Sequence, residues 1–378
     1  MHVLIAPDKF KGSLSAAQVA THVAAGLRSV LPDLAVRELP VADGGDGTVD
    51  AAVQAGFTRV RLRAAGPTGV PLDTSYARRD DLAVIEMATV CGLLRLPGGR
   101  PAPVHASSYG LGEAVSAAAA AGCRRVVLGI GGSASTDGGA GMLQALGARL
   151  LDEQGRALPP RGIPLDNTSY TLELTGLDPV LRNVEIVVAC DVDNPLFGGR
   201  GAAEVYAPQK GASPQQVSRL DSGLRRWADA VAAATGTDWA AEPGAGAAGG
   251  VGFAALAVLG AVLRPGIQIV LDLIGFAGHL ADCRLVITGE GALDEQTLAG
   301  KAPAGVSAAA RSAGVPVVAV AGRSTLTPAD LAGAGIDAVY PLSELEPDPV
   351  RSIAYAGPLL GQLGARIARE RLATPAIR

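Results

Sequence analysis

The sequence predicts an α/β protein in which a discontinuous α/β domain, built from both ends of the chain, carries an inserted mixed α/β domain. Three observations lead there. Both ends alternate strand and helix signals, the centre has a different pattern, and 48% hydrophobic against 18% charged residues leave ample apolar surface for more than one core. At about 150 residues per domain, a chain of 378 residues accommodates two or three such units.

The first fifty residues open with an apolar run at 3–6, continue with a helix pattern over 15–30 and return to an extended run at 36–41, the beginning of a βαβ unit. The centre reads differently. Strands at 59–63 and 82–86 flank a turn-rich stretch, an alanine-rich helix spans about 108–121, and buried strands follow at 125–128 and 184–189. The opening pattern then returns, with strands at 285–288, 315–321 and 339–342 and helix patterns between and after them. Boundaries are therefore placed near 65 and 280, giving one domain from 1–65 plus 281–378 and an insertion of 66–280.

Composition excludes several classes. A net charge of -4 provides no basic stripe for a phosphate backbone, and 3% aromatic residues supply few stacking platforms, so no nucleic-acid partner is expected. The cysteines Cys91, Cys123, Cys190 and Cys283 form no CxxC pair and read as small buried residues of a reducing compartment. The N-terminal apolar run meets Asp8 and Lys9 too early for a secretory signal, so a cytoplasmic protein is expected. Residues 244–263 carry no charge over the length of a membrane span, but their first half is glycine and alanine, which suits a tight loop; no membrane partner is expected.

The chemistry concentrates in five glycine clusters beside acids, hydroxyls or lysine: 43–48, 129–139, 197–201, 244–252 and 288–291. The second is the richest. A strand feeds a loop with hydroxyls at Ser133, Ser135 and Thr136 and an acid at Asp137, and a helix pattern resumes by Met142, an arrangement whose backbone amides suit an anion such as phosphate. The loop also imitates a dinucleotide fingerprint, Gly129-x-Gly131-x-x-Ala134 with Asp152 about 20 residues on, although the run after Asp152 reads as a hairpin turn. No Walker A loop, kinase HRD and DFG set or GxSxG elbow is written here, and His2, His22, His105 and His279 lack metal spacing.

Of 32 basic residues only Lys9, Lys11, Lys210 and Lys301 are lysines, and each lies beside a glycine or among loop acids. A compact ammonium is not interchangeable with a guanidinium fork, so at least two are expected to contact an anionic ligand. Asp8, Asp43, Asp46, Asp137, Asp191, Asp193, Glu290 and Asp294 cluster in the same loops. Carboxylates beside anion-binding loops can hold Mg2+ on phosphate oxygens while one acid serves as base for a hydroxyl.

These residues together resemble the type I glycerate kinase family. The matching stretches are Ala6-Pro7-Asp8-Lys9-Phe10-Lys11-Gly12, Val41-Ala42-Asp43-Gly44-Gly45-Asp46-Gly47-Thr48, the glycine loop from Gly131 to Met142, Cys190 to Leu196, Pro208-Gln209-Lys210-Gly211, Gly244 to Gly250, and Thr288-Gly289-Glu290-Gly291 with Gly300-Lys301, in the family's order. The resemblance implies a flavodoxin-like (Rossmann-type) domain made from both chain ends, ATP and Mg2+, and D-glycerate as acceptor, with the 2-phosphate favoured over the 3-phosphate. One departure stands out: Ala292 occupies a position where members usually carry a basic residue. On this reading Gly131, Gly132, Ser133, Ser135, Thr136, Gly138 and Gly139 cradle the nucleotide phosphates, and Asp191, Lys9 and Lys301 are catalytic. Asp8, Lys11, Asp43 and Lys210 bind substrate, and Asp137 and Glu290 hold the metal. An NAD-dependent dehydrogenase of a small hydroxy acid and a non-catalytic nucleotide-binding module are the alternatives.

Overall fold

In chain order the strands of the computed structural model, which describes residues 1–160, 162–165, 168–298 and 300–373, are β1 (His2–Pro7), β2 (Val36–Glu38), β3 (Thr58–Ala65), β4 (Pro71–Arg79), β5 (Leu82–Glu86), β6 (Arg125–Gly129), β7 (Arg149–Leu151), β8 (Thr171–Glu173), β9 (Glu185–Ala189), β10 (Val262–Arg264), β11 (Cys283–Leu293), β12 (Val317–Ser324) and β13 (Ala338–Pro341). They belong to two units. One comprises Met1–Asp43, Asp50–Ala55 and Ile267–Arg378 as far as it is described; the other comprises Gly44–Val49 and Gly56–Gly266.

The first unit holds a five-stranded sheet in the order β13-β12-β11-β1-β2, parallel throughout. Counted along the chain this is the 2-1-3-4-5 order of flavodoxin-like folds, whose sites lie outside the carboxyl ends of the strands where the order reverses, here between β1 and β11. β1 is buried at every position because helices cover both faces of a parallel sheet, which is why its sequence is a continuous apolar run. The helix Ala16–Val30 starts with a capping box between Ser15 and Gln18, and its spacing buries Val19, Val23 and Leu27 on one face. Each such side chain contributes roughly 1.5–3 kcal/mol by leaving water. The extended run at 36–41 is a regular strand only to Glu38. Even so, the Leu39 and Val41 amides still donate to the Ile5 and Pro7 carbonyls, delivering the chain to Asp43.

The second unit is built on a mixed sheet, β10-β9-β6-β5-β4-β3. β5, β6, β9 and β10 run parallel, and β3 and β4 add an antiparallel edge. The helices Tyr109–Ala120, Ala140–Ala145, Pro214–Thr235 and Ala247–Leu259 share its core with the sheet, around Leu128, Met142, Trp227 and Phe253. β7 and β8 form a separate antiparallel pair. The uncharged stretch 244–263 contains the helix Ala247–Leu259, whose first turn is broken by left-handed Ala248, Gly249 and Gly250. Among the described residues no helix is long and apolar enough to cross a membrane.

Candidate active site

In the first unit, candidate residues gather at the carboxyl ends of β1, β2 and β11. Asp8 follows β1 directly, with its amide donating to the Gly289 carbonyl at 2.8 Å, so β11 fixes where the acid stands. Its Oδ1 accepts the Lys9 amide at 2.6 Å and lies 3.7 Å from the Lys9 ammonium. Burial pushes the Asp8 carboxyl up to about 7, against the pull of Lys9, and the negative charges of Asp43 and Glu290 add to the rise. Glu290 is likewise raised by burial, with Asp294 and Asp43 contributing, while its Oε1 accepts the Thr297 hydroxyl at 2.5 Å and its Oε2 stands 4.0 Å from the Lys301 ammonium. Lys11 is exposed on the turn between Phe10 and Leu14, which passes alongside Gly291. Asp8, Lys9, Lys11, Asp43, Glu290 and Lys301 thus share one edge of one sheet, with Asp43 and Glu290 close enough to oppose the ionisation of Asp8.

In the second unit, β6 delivers the chain into the glycine loop. A Cβ on Gly131 would stand 2.8 Å from the Gly45 Cα, so the 44–49 segment packs on this loop only because both positions are glycine. Glu86, at the end of β5, holds the segment by accepting the Gly47 and Val49 amides at 3.1 and 3.0 Å.

Only Gly131 and Gly132 of the loop reach solvent; from Ser133 to Gly139 it is buried. Asp137 is the reason. Its carboxylate accepts from the Ser107 hydroxyl (3.2 Å), the Ser108 amide (2.8 Å) and hydroxyl (2.9 Å), and the Gly139 and Gly141 amides (3.2 and 3.3 Å). The Trp227 indole donates to the Gly138 carbonyl at 2.9 Å, and the Gly138 amide donates to the Gly249 carbonyl.

The geometry corrects three expectations. Asp137, expected to hold the metal, is only 4% exposed and accepts five donors, four on Oδ2 and one on Oδ1, so its carboxylate ties the loop together instead of facing solvent. Lys210 does not present its ammonium to a substrate: it is buried, with Nζ donating to Ser133 Oγ at 2.9 Å and to the Ser135 carbonyl at 2.5 Å. Ser133, Ser135, Thr136, Gly138 and Gly139 are buried, so of the expected cradle only Gly131 and Gly132 reach solvent. The Ser135 and Thr136 hydroxyls are buried without a hydrogen-bond partner among the described residues.

Asp191 stands two residues past β9, exposed, with Oδ1 accepting the Gly266 amide at 2.8 Å. Asp193 pairs with Arg200 at 3.1 Å on the surface. Asp152 closes a hairpin turn with Arg156, bonded to it through backbone and side chain. It therefore lies at the end of no parallel strand where it could bind a ribose, and the dinucleotide fingerprint is incomplete. Among the described residues no group of three or more His, Cys, Asp and Glu side chains is arranged to hold a metal by itself.

Sequence reasoning missed Ser107, Ser108, Glu86 and Thr297. Each acts on a residue it had selected, or on the adjoining 44–49 segment, but from an unremarkable sequence context.

The model of the glycerate kinase family matches residues 3–372. A glycerate kinase of Bacillus subtilis (strain 168) is 45% identical over 343 residues, 90% of each chain. A glycerate 2-kinase of Escherichia coli (strain K12) is 44% identical over 345 residues, again 90% of each. A crystal structure bearing the name glycerate kinase 2, from Salmonella typhimurium LT2, superposes with a TM-score of 0.83 at 41% identity, covering 98% of this chain and 97% of that one.

Proposed function

Because this chain belongs to the glycerate kinase family, we propose that it transfers the γ-phosphoryl group of ATP to a hydroxyl of D-glycerate, that 2-phosphoglycerate is the product, and that it is a type I member. The observation that carries the reading is the cluster of Asp8, Asp43 and Glu290 with Lys9 and Lys301 at the switch point of the flavodoxin-like sheet.

The donor set fits a hard divalent cation that keeps most of its ligands from water and phosphate: oxygen donors only, in mutual repulsion that a bound cation would relieve. Glu290 and Asp8 would hold it. Mg2+, when bound with the nucleotide, neutralises phosphate oxygens and orients the group in transfer. Lys9 and Lys301 offset negative charge on the phosphoryl group or the glycerate carboxylate as compact point charges, and Lys11 and Asp43 contact substrate. In the second unit the Gly131–Gly132 turn offers its backbone to the nucleotide phosphates. Asp191, oriented by the Gly266 amide, takes the proton of the acceptor hydroxyl.

Ala292 stands where members of the family usually carry a basic residue, and on this reading that residue would face the glycerate carboxylate. Arg323, on β12, is its in-register neighbour and is exposed, so a guanidinium from the adjacent strand supplies the missing charge. A cytoplasmic location goes with this reading and is supported by four cysteines that are all free thiols.

The test is ADP release with MgATP and D-glycerate, followed by phosphorus NMR of the product. Glycerate-dependent ADP release and a 2-phosphate signal are expected. ATP binding without turnover, or turnover requiring NAD instead of ATP, would overturn the reading.

A further inference from the structure

Lys210 ends the short turn Pro208–Lys210, and left-handed Gly211 lets the chain leave at once. Its side chain is 3% exposed, and its ammonium has two bonded acceptors, the Ser133 hydroxyl and the Ser135 carbonyl. Neither carries a charge. No carboxylate forms an ion pair with it among the described residues, and Asp137, whose negative charge favours the ammonium, spends its oxygens on five other donors, four on Oδ2 and one on Oδ1. An ammonium buried without a paired anion is costly, and burial accordingly brings its pKa down to about 7.

The two acceptors identify what the ammonium serves. Ser133 follows directly on Gly132, and Gly131 and Gly132 are the part of the loop open to solvent. The positive charge is thus tied, through one residue, to the backbone most suited to an anion. A salt bridge here would cancel that charge. The structure instead leaves it without a directly paired anion inside the protein, where low polarisability lets a field reach further than in water.

We propose that Lys210 is a positioning residue for the phosphate-bearing substrate: it braces the glycine loop through Ser133 and Ser135 and lends the exposed Gly131–Gly132 turn a positive potential, without touching the substrate. The inference rests on the reading of this loop as the nucleotide phosphate site.

The experiment measures MgATP binding by calorimetry between pH 6 and 9, together with kcat and both KM values, for the wild type, Lys210→Met and Ser133→Ala. In Lys210→Met, ATP affinity should fall at least tenfold while the KM for glycerate changes less than twofold. As pH rises above about 7, where the ammonium loses its proton, wild-type affinity should fall relative to the methionine variant, whose profile keeps only the titration of other site groups such as Asp8. Ser133→Ala removes one bond but keeps the charge, so it should lose less than threefold and keep that fall. If Lys210→Met does not fold, Lys210→Arg, which keeps its charge across this range, takes its place: a wild-type profile that does not fall relative to it above about pH 7 overturns the proposal. Unchanged ATP affinity in Lys210→Met, or equal losses for ATP and glycerate, also overturns it while leaving the kinase reading intact. A wild type that binds no ATP overturns both.

Discussion

The Ser108 hydroxyl donates to Asp137 Oδ2 at 2.9 Å, and Ser108 Oγ in turn accepts the Met142 amide at 2.9 Å. One serine thus links a buried carboxylate to the start of the helix Ala140–Ala145. Asp137→Ala strands five buried donors, each costing about 1–3 kcal/mol when unsatisfied, less whatever relaxation recovers. The expected loss is at least ~3 kcal/mol, read from denaturant midpoints; Ser107→Ala, which removes a single donor, should lose about 1 kcal/mol. Equal losses for the two would contradict the central role given to the carboxylate.

Asp8 makes stability depend on pH. Its folded-state pKa of about 7 lies above its unfolded value, so the native state binds more protons between roughly pH 4 and 7 and stability falls as pH rises through that window. Asp8→Asn removes the decline. Its Tm should exceed that of the wild type by roughly 2–4 °C or more at pH 8 and by nothing at pH 4.5, as scanning calorimetry would show.

Glu290 is assigned to the metal. Glu290→Gln should raise the Mg2+ concentration needed for half-maximal ADP release about tenfold or more, an order-of-magnitude expectation for a lost carboxylate ligand. Its Tm at neutral pH should be at or above the wild-type value, since burial disfavours the charge that glutamine lacks. An unchanged Mg2+ titration would remove the residue from that role.

Asp191 is assigned to the proton. Asp191→Asn should lower kcat by roughly 10^2 to 10^4, the range of general base catalysis, with little change in ATP binding. A variant that retains near-full kcat would show that another group accepts the proton.

Arg323 is assigned to the acceptor carboxylate. Arg323→Ala should raise the KM for glycerate about tenfold while kcat holds, the signature of lost uniform binding. The double change Arg323→Ala with Ala292→Arg should recover most of it. Failure of the single change to move KM would leave Ala292 uncompensated.

Much of the scaffold was legible because parallel strands buried on both faces leave apolar runs that composition alone exposes, as at β1 and at Leu82–Glu86. β4 was not, because Pro71–Arg79 is buried only at Thr74, Tyr76 and Ala77 and its polar residues resemble a turn-rich connection. The candidate acids and glycines announced themselves by residue type. What stayed hidden was long-range. Lys210 reaches Ser133 across 77 positions and Glu86 reaches Gly47 across 39, and neither separation leaves a local pattern. Lysine is rarely buried, so its spacing beside a glycine pointed outward to a ligand when the fold turns it inward.

β1 pairs with β11 from His2 opposite Cys283 to Pro7 opposite Gly289. During synthesis the ribosome must therefore add roughly 280 residues, about fifteen to sixty seconds at usual elongation rates, before this apolar strand meets its central partner. Most of the second unit emerges in that interval and can fold while the first waits. The early strand and its helix must be kept from aggregating until the sheet can close, so the nascent chain is expected to be a chaperone client whose demand ends only when residues near 290 leave the exit tunnel.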